Sequence, residues 1–269
     1  MENSNASFIQ ETLARVRRLQ SRTEREATCL HYVEGFLAFL QMIDARIPID
    51  TIVYSEVLAQ NPVVQKHVRL CRRAGVPVAR VTPEQFRAVS GTERASGIGV
   101  IAHQHWTPIE RVDPRRGLCW VAVSRLRSAG NLGTLLRTAE AVAAGGLIFL
   151  GNDSDPFDPN VVRASIGTLF SLPVVETTTA DALAWLKARK FKIVAATPHT
   201  DKLFWTIDMT GNTAIVVGTE QYGLSAKWLD EAELKVSIPM GGQADSLNVA
   251  SATTILLYEA VRQRQKNKG

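Results

Sequence analysis

The run Ala214-Ile215-Val216-Val217 is apolar at both parities, so a strand built from it is buried on both faces. That is the pattern of a parallel sheet covered by helices on each side. Similar segments recur from residue 118 onward. The composition predicts strands at 118–123, 147–150, 174–176, 192–196, 213–217 and 234–238. Helical spacing falls between most of them, at 132–144, 159–169, 180–190 and 226–232, with a long helix from 246 onward. Regular alternation of this kind specifies an α/β domain whose ligands sit outside the carboxyl ends of its strands.

The first hundred residues are organised differently. A charged helix is predicted over 11–25, with Leu13, Val16 and Leu19 apolar, and a more apolar helix over 30–45. Short strands follow at 49–55, 76–81 and 98–104. Between them lie a helix over 63–74, ended by Gly75, and a short helix opening at Pro83 behind Thr82. Residues 106–117 carry two prolines and no periodicity, which reads as a linker. The predicted division is therefore a smaller α/β domain over 1–105, a linker over 106–117 and the main α/β domain over 118–269.

Composition narrows the class further. Of 269 residues, 45% are hydrophobic and 21% charged, which describes a folded chain with a sizeable core. No apolar run approaches the roughly 18–20 residues a bilayer span needs. The N-terminus lacks the basic-then-apolar pattern of a secretion signal, so a cytoplasmic protein is expected. Cys29, Cys71 and Cys119 are widely spaced and read as buried thiols rather than zinc ligands. His103 and His105 alternate as on a strand, but no third ligand accompanies them, so no metal is expected. Charge is uneven: residues 61–127 hold twelve Lys and Arg against four acids, while the whole chain is only +5. Such a bias marks either a polyanion-binding surface or a solvated basic face.

Four segments fall after predicted strand ends. Gly130–Arg137 opens a helix and carries Asn131 and Arg137, but its spacing is that of neither a P-loop nor a dinucleotide fingerprint. Gly218 and Gly223 bracket Glu220, an acid that either faces solvent or needs a cation, for which Arg137 is the candidate. Ser237–Gly242 turns sharply after its strand. In Asp245–Ala252, Ser246 or Asp245 is placed to cap the last helix, and Leu247, Val249 and Ala250 form a small apolar floor beside Asn248. That loop is either a ledge for a flat polar ligand or an ordinary capped helix start.

Three of these segments, N-x-G-x-x-x-R-T-A at Asn131–Ala139, V-G-x-E-x-x-G-L-S at Val217–Ser225, and I-P-M with S-L-N-V-A at Ile238–Ala250, resemble the motifs of the SpoU/TrmH branch of the SPOUT methyltransferases. Arg163–Thr168 with Leu172-Pro173-Val174 is similar to a fourth. The resemblance covers about 118–264. It implies a parallel-sheet domain with a deep trefoil knot, a homodimer with a shared site, and methyl transfer from S-adenosylmethionine to a ribose 2′-hydroxyl of RNA. It implies ribosomal RNA ahead of transfer RNA, with no membrane partner. Alternatives are a catalytically silent RNA-binding relative and an enzyme that modifies a base or a different hydroxyl. Carried over by position, the cofactor rests on Thr197, Gly218, Ile238, Met240 and Leu247, and Asn131, Arg137, Glu220, Ser246 and Asn248 surround the ribose. Arg137 is expected to orient the hydroxyl or a phosphate, held by Glu220. Two departures stand out: Ser128-Ala129 replaces a frequent Asp-Pro, and Thr219 replaces a frequent Asn. The N-terminal domain resembles the family's L30e-like ribosomal-protein fold only loosely, chiefly at Val33-Glu34-Gly35.

Overall fold

The computed structural model describes residues 2–219 and 223–266. From the N-terminus its elements are α1 (Glu2–Arg18), α2 (Arg22–Thr28), β1 (Leu30–Glu34), α3 (Phe36–Asp44), β2 (Ile49–Tyr54), α4 (Pro62–Arg73), β3 (Val78–Arg80), α5 (Pro83–Arg87) and β4 (Ile98–His103). There follow β5 (Trp120–Ser124), α6 (Ala129–Ala141), β6 (Gly146–Leu150), α7 (Pro159–Ser165), β7 (Val174–Thr177) and α8 (Thr179–Ala188). The last are β8 (Lys192–Ala196), β9 (Thr213–Val217), α9 (Ala226–Glu231), β10 (Leu234–Val236) and α10 (Val249–Lys266). These form two compact units, one of residues 1–105 with 156–171, the other of 106–155 with 172–269.

Unit 1 is built on a four-stranded sheet in the order β1-β4-β2-β3, with β4 antiparallel to both neighbours and β2 parallel to β3. Leu13 and Val16 of α1, with Leu19 just beyond its end, pack against Tyr32, Val53, Phe86 and Ile101. Two predicted helices are corrected. The helix expected over 30–45 is β1 followed by α3. Cys29 ends α2 in the left-handed region at φ +53°, and Gly35 breaks the chain again at φ +120°. Between them Tyr32 and Val33 pair with Ile101 and Val100 of β4, so sheet pairing overrides an apolar run that reads equally well as helix. The helix expected over 11–25 is α1 and α2, parted at Gln20-Ser21. Of the three thiols expected to be buried, Cys119 is buried, Cys71 on α4 is half-buried and Cys29 is exposed in the left-handed turn that ends α2.

The second segment of unit 1, residues 156–171, falls within the predicted 118–269 domain, and packing places it elsewhere. His31 on β1 is fully buried with its ring 5.0 Å from Phe157 and 5.9 Å from Phe170. Arg25, 2% exposed, donates to the carbonyls of Leu19 and Gln20 and pairs with Asp158 at 3.3 Å. Arg163 donates to the carbonyl of Gly91. Burial, aided by the charge of Arg25, lowers the His31 pKa to about 3, so the ring is neutral.

Unit 2 contains a six-stranded sheet in the order β10-β8-β9-β5-β6-β7, parallel throughout. Every residue of β6 and β9 is buried, as the apolar runs require. Trp120, Trp185, Phe191 and Trp228 fill the core on one face. On α10, Thr254 lies within hydrogen-bond distance of Thr138 on α6, at 3.2 Å. Residues 106–117 are not a free linker. Trp106 meets Phe149 edge-on at 5.8 Å, Thr107 N donates to Val174 O at 2.7 Å, and Val112 is buried. Among the described residues no helix is long and apolar enough to cross a membrane, and no group of three His, Cys, Asp or Glu is placed to hold a metal.

Candidate active site

In unit 2, β5, β6 and β7 progress one way across the sheet, while β8, β9 and β10 lie on the other side of β5. The direction therefore reverses between β5 and β9, where a parallel sheet opens a crevice at its carboxyl ends. Register makes this edge specific. Val123 lies opposite Val217, Val216 opposite Ala195, and Ala196 opposite Val236. The first residues beyond that row are Ser124, Gly218, Thr197 and Ser237. Of the five predicted cofactor residues, Thr197 and Gly218 thus leave adjacent strands at one level, and Ile238 follows one residue beyond that level on the neighbouring strand β10.

Each is locally constrained. Gly218 is buried, and a Cβ there would lie 2.1 Å from the Gly223 carbonyl oxygen. The approach is this close because Thr219 and Gly223 exchange backbone hydrogen bonds of 2.9 and 3.1 Å, closing the loop that Gly223 turns at φ +64°. Thr197 N donates to Val236 O, and its Oγ1 accepts from His199 N. Ile238 is half-buried, whereas Met240 and Leu247 are each 37% exposed.

The predicted ribose residues divide. Ser128 caps α6 by accepting from Asn131 N at 3.3 Å, so the Ser that departs from the common motif acts as the cap. Asn248 Nδ2 donates to Asn131 Oδ1 at 2.8 Å, across 117 residues of sequence. Asn248 Oδ1 also accepts from Ala250 N and Ser251 N, which corrects the expected cap: Asn248, not Ser246 or Asp245, starts α10. It is the residue immediately before the first helical position, where a side-chain acceptor meets free N–H groups. Thr138, two turns beyond Asn131, faces the same neighbour through Thr254. Arg137 is exposed on the flank of α6, and Ser246 is exposed in the loop. Glu220 lies outside the described residues, and with it the expected Arg137–Glu220 pair. A cavity of about 110 Å³ lies at the opposite edge, where Arg115, Arg116, Cys119 and Arg264 line the strand starts. The carboxyl edge is instead an open shelf, with residues 239–248 all exposed.

Residues 119–258, more than half of the chain, match the model of the SpoU rRNA Methylase family. The chain belongs to that family. Residues 10–99 also match an MRM3-like substrate binding domain. Among SpoU-family relatives, the 23S rRNA (uridine(2479)-2'-O)-methyltransferase of Streptomyces viridochromogenes is 40% identical over 162 residues, 58% of this chain and 56% of that one. The match thus spans little more than half the length of that relative. The 23S rRNA (guanosine(2553)-2'-O)-methyltransferase RlmP of Bacillus subtilis is 26% identical over 90% of this chain and 92% of its own. An AdoMet-bound rRNA methyltransferase from Sinorhizobium meliloti has the same fold, with a TM-score of 0.86 and 31% identity over 93% of this chain and 94% of that one. The α/β architecture with a parallel sheet and a preceding domain is therefore that of SpoU methyltransferases. Three features escaped the motif reading: the Ser128 cap, the Asn248 cap and the Arg-Leu-Arg sequence at 125–127 that follows β5.

Proposed function

We propose that this chain transfers a methyl group from S-adenosylmethionine to a ribose 2′-hydroxyl of RNA, ribosomal RNA being favoured over transfer RNA. The observation that carries this reading is the Asn248–Asn131 hydrogen bond, which joins two motif segments at the reversal point of the sheet. Family membership and the rRNA substrates named for the relatives support the same substrate class.

The residues fit the cofactor. Met240 and Leu247 offer apolar surface to a flat ring, Gly218 admits close backbone approach, and Thr197 contributes a hydroxyl beside them. When bound, S-adenosylmethionine supplies an electrophilic methyl on a sulfonium. The protein's own contribution is positioning, which is most of what transfer to an aligned oxygen requires. Asn248 is fixed at both ends, by Asn131 and by the start of α10, so the two amides form a rigid polar pair. A guanidinium keeps its proton in a protein, so Arg137 serves as a donor that orients the hydroxyl or an adjacent phosphate rather than as a base. Glu220 would hold Arg137, and Ser246 would add a hydroxyl to the same shelf.

RNA contact by unit 1 belongs to this reading. Lys66, Arg69, Arg72 and Arg73 on α4 are exposed, as is Arg80, and a cleft of about 70 Å³ collects Arg69, Arg72 and Arg80 around Tyr54. The finer family features follow on the same basis. The trefoil knot belongs to this reading: the chain runs from edge strand β10 to α10, which meets α6 through Thr254 and Thr138. The mixed sheet of unit 1 supports an L30e-like fold, Tyr258, 52% exposed on α10, supports a homodimer, and a cytoplasmic location belongs to the same reading. The test is transfer of labelled methyl to an unmodified 23S rRNA transcript, followed by alkaline hydrolysis. Label in alkali-stable dinucleotides is expected. Label only in mononucleotides would move the chemistry to a base, and no label despite cofactor binding by calorimetry would leave a silent RNA binder.

A further inference from the structure

Residues 125–127 form a built feature that the motif residues do not explain. Leu126 is fully buried, and its N–H donates to Ser154 Oγ, itself 4% exposed, at 2.9 Å. This pin sends the two flanking side chains outward. Arg125 holds φ +55°, an uncommon conformation for a long side chain that the buried leucine must maintain. Arg125 Nε lies 3.0 Å from Asp153 Oδ2, and Arg127 Nη2 lies 3.4 Å from Asp153 Oδ1. The guanidiniums are 66% and 76% exposed, the carboxylate 33%.

One carboxylate thus sits between two arginines and leaves a local charge of +1. Each guanidinium has five N–H donors, and the carboxylate engages one nitrogen of each. Exposed ion pairs of this kind add little to folding, so stability does not account for the arrangement. Its location does suggest a purpose. Arg127 directly precedes Ser128, the cap that accepts from Asn131 N, and the Asp153 loop follows β6, the neighbour of β5 in the sheet.

We propose that Arg125 and Arg127 form a clamp for a backbone phosphate of the RNA beside Asn131, with Asp153 holding the two guanidiniums apart until the phosphate displaces or joins it. The proposal rests on the ribose-methylation reading. A planar guanidinium pairs with phosphate in bidentate fashion, and two presented together fix the strand's register without reading a base.

The test compares Arg125→Gln/Arg127→Gln with Asp153→Asn in the full-length protein, using unmodified 23S rRNA transcript over a salt series. The double variant should bind RNA at least tenfold more weakly near 0.1 M salt. Its slope of log affinity against log salt should be shallower by about one, since roughly 0.7–0.9 is lost per phosphate contact. KM for RNA should rise while cofactor affinity and melting temperature hold. Asp153→Asn should move RNA affinity the opposite way, because it removes the competing negative charge. If both variants weaken binding equally and lower the melting temperature, the triad is a structural staple and the clamp is wrong. If the double variant keeps the parent slope and KM while the unaltered protein methylates the transcript, the clamp alone fails. If the unaltered protein transfers no methyl to RNA, the underlying reading fails and the clamp with it.

Discussion

Unit 2 buries β6 and β9 along their whole length, whereas unit 1 closes around a buried arginine and a buried histidine. The difference is one of chemistry as much as of size. Each fully buried aliphatic side chain contributes roughly 1.5–3 kcal/mol whatever the pH. A buried Arg25 instead depends on oxygen partners that include the Leu19 and Gln20 carbonyls and Asp158, and a buried His31 must stay neutral. Unit 2 is therefore a rigid platform whose carboxyl edge is free to carry exposed, weakly held side chains. Unit 1 is a polar-pinned structure that includes residues 156–171, so a truncation at residue 105 would strip Phe157, Val161, Val162 and Leu169 of their packing partners.

That contrast predicts where substitutions separate stability from activity. The largest effect is expected at the edge of unit 2. Arg137→Ala should reduce single-turnover methyl transfer by about a thousandfold, roughly 4 kcal/mol of barrier, with melting temperature and cofactor affinity nearly unchanged. An active variant would dismiss Arg137 as a positioning group. Next is acid sensitivity in unit 1. The folded pKa of His31, about 3, lies below its usual 6.5, so between those values the unfolded chain binds the extra proton. The stability contributed is complete above pH 6.5 and is lost as pH falls toward 3. From pH 7 to 4.5 the loss attributable to His31 is roughly 3 kcal/mol. Denaturant titrations of His31→Leu should show that much less decline than the parent; identical declines would contradict the assignment.

Smaller effects return to the platform. Gly218→Ala drives a methyl into the Gly223 carbonyl, costing about 1–3 kcal/mol by overpacking. It should also lower cofactor affinity more than tenfold by calorimetry. Asn248→Ala removes the α10 cap at a cost of about 1 kcal/mol. Its methyl transfer should fall further than its melting temperature suggests, because the bond to Asn131 goes as well. Loss of stability without loss of rate would make Asn248 only a cap.

Much of the platform was legible from residue order. Lys192–Ala196 and Thr213–Val217 occur as strands where Val, Ile and Ala crowd both parities. β1 was not legible, since Leu-His-Tyr-Val-Glu suits either period and its partner β4 lies some seventy residues away. Nothing local marks residues 156–171 for unit 1; only their apolar side chains hint that a face must be covered. Within the site, spacing placed the loops after strand ends, and it took the strand order to align them. The pairing of Asn131 with Asn248 was beyond any local pattern, because the sheet reverses between their elements. The Asn248 cap was missed for a simpler reason: Asp245 and Ser246 are equally competent caps, and only the position of the helix start decides.

We propose that the cofactor binds on the carboxyl shelf of unit 2. Methyl-labelled methionine spectra of the full-length protein, recorded with and without S-adenosylmethionine, test it directly. Met240 lies on the shelf, while Met42 is buried in unit 1 and Met209 is buried in unit 2 away from the strand ends. A saturable shift of the Met240 resonance, with Met42 and Met209 unmoved, is expected. Saturable binding that shifts Met42 and leaves Met240 in place would contradict it.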